Sequence, residues 1–333
     1  MARTAKRGTI PGQAKPADAA TGNFWRKNDY FAEVFNKIVF QENPINPSDL
    51  EPYDSVEDAL LRMMDGAHIT LKQTRDVVKA LKNDEATLVI LGAENMMWID
   101  YTMPFRVMAL DFINMARQVS EIQNKNKENW KHCTRDYTKD EYLSRFYKKD
   151  KIKPVITLVI YYGQEQWDAG RRITDMLEES PYKKYAAEYP MHLFDVRHMT
   201  KEQLEEFSPI LKGFLGYLMY ENTEYLTEFV KENRDVFDDF PELAIDALIE
   251  ITHSESLAKY KKDNRTAGGG INVMDGFQIY AEQYANQREK KTFVKAYQML
   301  HQTLTDTIAA FTAKFQITDE EKAKEEVEKY WKE

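Results

Sequence analysis

Between Thr74 and Met97 the chain reads TRDVVKALKNDEATLVILGAENMM. Two runs rich in Val, Leu and Ile, about Thr74–Leu81 and Thr87–Asn95, flank KNDEA, whose polar residues suit a turn. A hairpin turning about residue 85 pairs Val78 with Gly92 and sets Asp76 opposite Glu94. Directly opposed residues hold their Cβ atoms about 5 Å apart. Two carboxylates at that range repel by about 3 kcal/mol at an effective dielectric of 20. Stability alone does not keep such a pair: one acid is protonated, or both splay into water, or a cation sits between them. Hard divalent ions take oxygen ligands, which makes Mg²⁺ the natural candidate.

Outward from this hairpin the pattern is α/β. PVITLVIYYG (Pro154–Gly163) is a continuous apolar strand, and such a run implies cover on both sheet faces. MHLFDV is a further strand candidate. After WIDYTMP, Pro104 can open a helix from Phe105 to about Ile122, with Phe105, Met108, Phe112, Met115 and Val119 as its apolar stripe. The polar stretch that follows, about 123–150, reads as a loop or insertion. Upstream, Phe31, Val34, Phe35, Ile38 and Val39 mark one buried helical face, leaving Glu33, Asn36 and Lys37 on the other side. NPINPSDLEPYDS is a connector by its prolines. From Thr200 onward the pattern is helical, broken at Asn264–Gly276 by four glycines.

The bulk properties exclude little. The chain has 333 residues, a net charge of −9 and a lone cysteine, Cys133, which permits no internal disulfide and fits a reducing cytoplasm. No run approaches a membrane span, and no membrane partner is expected. Charge is uneven: residues 1–22 carry four basic residues and one acid, whereas Thr318–Glu333 carry seven acids and four lysines. Local patches rather than the total govern contact with a phosphate backbone.

The succession FAEVFNKIVF, INPSDLEPYDS, RDVVK, LGAEN, IDYTMPFRVMALD and VITLVIYYGQEQWD, with GGGINVMDG further on, resembles the Rpn family of recombination-promoting nucleases, a transposase-like family. The resemblance implies the PD-(D/E)XK nuclease group and its restriction-endonuclease-like mixed sheet flanked by helices, here followed by a helical C-terminal region. Composition and pattern, taken with this resemblance, divide the chain into a flexible basic arm (1–22), a nuclease-like core (23–220) with an insertion around 123–150, a helical extension (221–263), a glycine-rich hinge (264–276) and a helical tail (277–333). The resemblance also has a chemical side. It implies a Mg²⁺-dependent endodeoxyribonuclease, with Mn²⁺ as a possible substitute, acting in recombination, mobile-element or defence settings of bacteria or phage. Asp76 and Glu94 become the two motif acids and metal ligands. The Asn95 backbone carbonyl is a third donor, and Glu33 reaches the metal through water.

One position departs from the family pattern. Lys, or Gln in this family, stands two residues after the second acid; here that residue is Met96, whose thioether cannot donate a hydrogen bond. Arg106 and Lys72 are candidate substitutes, each weighed against an ordinary surface or salt-bridging role. Double-stranded DNA is the expected partner, with Lys6, Arg7, Lys15 and Lys72 as contacts, and the C-terminal helices offer a homodimer interface. The rival reading is a catalytically impaired member of the fold that binds DNA or protein. His192 and His198 flank Asp195, and Trp167 and Asp168 follow the main strand; for these, surface, core-edge and turn roles are the better expectation.

Overall fold

In the computed structural model, which describes residues 17–53, 56–62, 68–83, 86–131, 137–262 and 264–332, the expected hairpin is present. Strands β4 (Val77–Asn83) and β5 (Ala86–Met96) are antiparallel, with Val77 opposite Ala93 and Val78 opposite Gly92. A bulge between Leu81 and Lys82 shifts the register only near the turn. The sheet order is β1-β4-β5-β6-β7, where β1 is Leu50–Pro52, β6 is Val155–Tyr161 and β7 is His192–Asp195. β1, β4 and β5 are antiparallel neighbours, and β5, β6 and β7 are parallel ones. The mixed sheet flanked by helices is thus borne out.

A separate hairpin of β2 (Val56–Arg62) and β3 (His68–Thr74) was not legible, and the proline-rich connector hides β1. β1 has only three residues and β2, VEDALLR, does not alternate apolar with polar residues, so neither carries the period-two signal of a strand. The first run also begins later than expected, leaving Asp76 at the bend just before β4.

The parallel step from β5 to β6 requires a crossover, supplied by α3 (Met103–Lys131). This helix runs nine residues past its expected end, so the first part of the supposed insertion is helical, and α4 (Lys139–Ser144) adds another turn there. The segment holds no Gly or Pro, and Gln123 Nε2 and Asn126 Nδ2 donate to the Ser144 and Arg145 carbonyls. The expected apolar stripe is also corrected. Phe105 and Phe112 are about half exposed, while Met103, Val107, Leu110, Asp111, Asn114 and Gln118 are buried. Polar groups on the inward face defeat a reading that follows hydrophobicity.

On the other side of the sheet lie α1 (Ala17–Trp25) and α2 (Asn28–Val34), the first beginning inside the stretch read as an arm. α2 continues as a π-helical turn, Phe35–Phe40, which rotates Asn36 inward. Asn36, expected on the polar face, is buried and bonds both the N–H and the carbonyl of Ile45.

The remaining helices are α5 (Lys201–Glu205), α6 (Pro209–Tyr220), α7 (Leu226–Glu232), α8 (Arg234–Phe237), α9 (Glu242–Thr252), α10 (Glu255–Lys261), α11 (Met274–Met299), α12 (Leu304–Phe315) and α13 (Glu320–Lys332). The chain forms two compact units. One comprises residues up to Met219 with Pro241–Ser254, so that α9 returns to pack on α1. The other comprises Tyr220–Phe240 with Glu255 onward, and Val294, Phe311, Ala323, Val327 and Tyr330 form a core within it. Among the described residues no helix is long and apolar enough to cross a membrane.

A buried ion pair anchors the sheet to α3. Arg75, 1% exposed, donates from Nη2 to Asp111 Oδ1 at 2.8 Å and from Nη1 to Thr157 Oγ1. Thr157 in turn donates to Asp111 Oδ1 at 2.6 Å, and Tyr189 donates to Asp111 Oδ2 at 2.6 Å. The guanidinium occupies the space where a Cβ at Gly92 would stand. Gly92→Ala should therefore overpack the sheet and displace the pair, lowering unfolding free energy by about 3 kcal/mol or more. Urea denaturation checks this; an alanine variant within about 1 kcal/mol of wild type would contradict it.

Candidate active site

Arg75 immediately precedes Asp76, so the buried pair fixes the backbone that presents this carboxylate. Asp76 Oδ2 accepts the Asn95 N–H at 2.7 Å, which ties the acid to the end of β5 beyond the last β4 rung. The Met96 carbonyl is bonded toward β6 by the Tyr162 N–H. By alternation along a strand, the Asn95 N–H and carbonyl therefore face the β4 side, where Asp76 stands. The structure brings Asp76, Glu94 and Asn95 together as the register implied.

Glu94 is 1% exposed. Its Oε2 accepts from Arg106 Nη2 at 2.9 Å, whereas Oε1 is buried without a hydrogen-bond partner. Burial, and next the charge of Asp76, push its pKa up to about 8; Arg106 and Arg75 oppose that rise without cancelling it. Asn95 Nδ2 is a second buried orphan, while its Oδ1 accepts from the Tyr162 hydroxyl at 3.0 Å. The Trp25 indole N–H donates to that same hydroxyl at 2.5 Å, so α1 helps hold the Asn95 side chain. A buried carboxylate oxygen lacking a donor, beside a second carboxylate, fits a divalent cation. The donor set is thin, however: among the described residues no group of three or more His, Cys, Asp and Glu converges on one point.

Met96 shares the strand face of Glu94, but its side chain is 3% exposed and belongs to an apolar cluster with Met103, Val107, Val159, Tyr161 and Trp167. Its sulfur lies 3.9 Å from Arg106 Nη1. Arg106 takes the salt-bridging role weighed against it, and its partner is the second acid, so it is the cation beside Glu94. Its side chain is 36% exposed, so the group that meets Glu94 also reaches solvent. Sequence reading named Arg106 by proximity alone; the signal it could have used is that a helix following β5 returns its first turn to the strand end.

Other expected residues lie elsewhere. The Glu33 carboxylate accepts from the Ser208 hydroxyl at 2.7 Å and from the Ser208 N–H, a tie between α2 and the start of α6 rather than a contact with Asp76 or Glu94. Lys6, Arg7 and Lys15 lie outside the described residues, as does the side chain of Lys72. Trp167 is a packed turn residue whose ring meets Tyr161 edge-on, and its N–H donates to Asp195 Oδ2. His198 Nδ1 contacts the other Asp195 oxygen at 2.8 Å, which accounts for that cluster structurally. Arg75, Asp111, Thr157 and Tyr189 were missed, because nothing in sequence spacing links residues that meet only across the sheet.

Residues 135–239 match the family model described as "Putative transposase, YhgA-like", which bears out the resemblance over that segment. Asp76, Glu94, Met96 and Arg106 precede the matched residues. No curated protein and no solved structure matches the chain.

Because folding raises the Glu94 pKa above its ordinary 4.5, folding favours the protonated form. Its stabilising contribution is complete below about 4.5 and is lost as pH rises towards about 8. Thermal melts should show wild-type Tm falling across that window, with the fall flattened in Glu94→Gln. Added Mg²⁺ should raise wild-type Tm more at the alkaline end than at the acid end. Parallel curves for wild type and variant, with or without metal, would contradict this account of the site.

Proposed function

We propose, on the premise of the family match over residues 135–239, that this chain is a metal-dependent DNA endonuclease of the PD-(D/E)XK type. The observation that carries the reading is the opposed Asp76–Glu94 pair with Glu94 Oε1 buried and unpartnered. Asp76, Glu94 and the Asn95 carbonyl would hold Mg²⁺ or Mn²⁺. The chemistry a divalent cation supplies when so held is polarisation of the scissile phosphate and activation of water.

The chain's own residues supply the rest. Asp76 is oriented by the Asn95 N–H, so its carboxylate needs little reorganisation to serve as a ligand. Arg106 supplies the positive charge that Met96 cannot. Its side chain is 36% exposed, which leaves it within reach of a phosphate oxygen, and a guanidinium suits that partner. The apolar wall of Met96, Val107 and Trp167 keeps water from Glu94 on one side, which strengthens every charge interaction there.

A second reading, a catalytically impaired DNA-binding descendant, is favoured by one specific observation: Arg106 already bonds Glu94 where a cation would otherwise compensate it. The two readings part in a supercoiled-plasmid assay with Mg²⁺, Mn²⁺ and EDTA lanes. The nuclease reading expects nicking that needs metal, falls at least about a hundredfold in Asp76→Ala, and falls about a hundredfold to a thousandfold in Arg106→Met, the scale of losing one charge-stabilising donor. Met96→Gln should preserve or raise the rate, whereas Met96→Lys would place an ammonium in an apolar cluster at a cost in stability. No nicking by wild type in any lane, with Met96→Gln equally inert, leaves the binding-protein reading in front.

A further inference from the structure

We infer that residues 123–131 and 137–153 form a second contact surface for the DNA backbone, set about one duplex turn from the Asp76–Glu94 pair. The inference rests on the DNA reading above and adds where, away from the site, the duplex is held.

In a chain of net charge −9, these residues carry nine Lys and Arg against four Asp and Glu. Lys125, Lys127, Lys139, Lys148, Lys149, Lys151 and Lys153 are all exposed. Two of the acids are turned onto local N–H groups instead of the lysine ammonium groups. Glu141 accepts from the Thr138 and Lys148 backbones, and Asp150 accepts from the Tyr147 backbone and Asn126 Nδ2. The positive charge is therefore left facing outward.

The surface has a fixed frame. Trp130 donates to the Tyr147 hydroxyl at 2.5 Å, and its ring lies 5.4 Å from Tyr137 and 5.1 Å from Tyr142. Gln118 bonds both the N–H and the carbonyl of Lys153, fastening the far end of the segment to α3. Tyr137 and Tyr142, stacked at 5.8 Å, remain 42% and 53% exposed and offer planar faces beside the lysines. Flexible ammonium groups on a rigid base can follow a phosphate backbone without demanding sequence.

Spacing along α3 favours a duplex over an acidic polypeptide. Arg106 bonds Glu94 near the start of this helix, and Lys125 and Lys127 stand near its end. At 1.5 Å per residue the two regions are about 30 Å apart along the axis. One turn of duplex spans about 34 Å. A single duplex can therefore present phosphates to both.

The test is a salt titration of full-length Asp76→Ala protein on a duplex of about 20 base pairs, two turns long. Substituting Lys125, Lys127, Lys148 and Lys149 by Gln should make the slope of log affinity against log salt shallower by about 3.6, near 0.9 for each of four phosphate contacts. Affinity near physiological salt should fall at least tenfold, with an unchanged circular dichroism melt. The same four positions as Arg should restore the parent's slope. A Gln variant matching its parent overturns the surface while leaving the DNA reading standing. A parent that binds no duplex overturns both. A parent that binds polyglutamate through these lysines but not the duplex overturns the proposal in favour of an acidic protein partner.

Discussion

The Arg75–Asp111 ion pair beneath Gly92 is the constraint on which the site depends. It lies between the sheet and the crossover helix, shares Thr157 and Tyr189 as partners, and requires a residue without a side chain above it. A buried guanidinium is tolerable only when its donors are met, and breaking one partner leaves an uncompensated charge. The pair thereby ties three separate segments to one another: the entry to β4, the middle of β6 and the third turn of α3. The glycine of LGAEN is explained by this approach, not by a turn.

That anchorage has an electrostatic consequence two residues further along β5. Glu94 is buried on the same face, close enough to Arg75 and Arg106 to feel both, yet still held with a raised pKa by burial and by Asp76. The fold thus raises the pKa of this acid even with Arg106 beside it. Arg106 meets only one of its two oxygens. The neighbouring Met96, instead of leaving a hole where a polar side chain would stand, seals the strand end with an apolar cluster. A site with an arginine on the helix in place of a polar residue on the strand keeps positive charge there while changing the element that carries it.

Much of this was legible where periodicity and register carry the information. The β4–β5 pairing follows from turn position alone, and the buried run Val155–Tyr161 announces a strand covered on both faces. Legibility ended where polar groups face inward. The α3 stripe was assigned to Phe105 and Phe112, yet the sheet side of that helix carries Asp111, Asn114 and Gln118. Asn36 failed for a related reason, since a π turn changes the angular count on which a helical face is read. The β2–β3 hairpin has too little apolar alternation to be seen without its partner.

The central claim is that Asp76 and Glu94 together bind a divalent cation and that Glu94 must give up a proton to do so. Calorimetric titration of Mn²⁺ near neutral pH, repeated in buffers of different ionisation enthalpy, measures both at once. With the Glu94 pKa near 8, binding should release close to one proton per ion in wild type. Glu94→Gln should bind far more weakly and release none. Saturable Mn²⁺ binding of equal strength in both proteins, or binding with no proton release in wild type, would contradict the account.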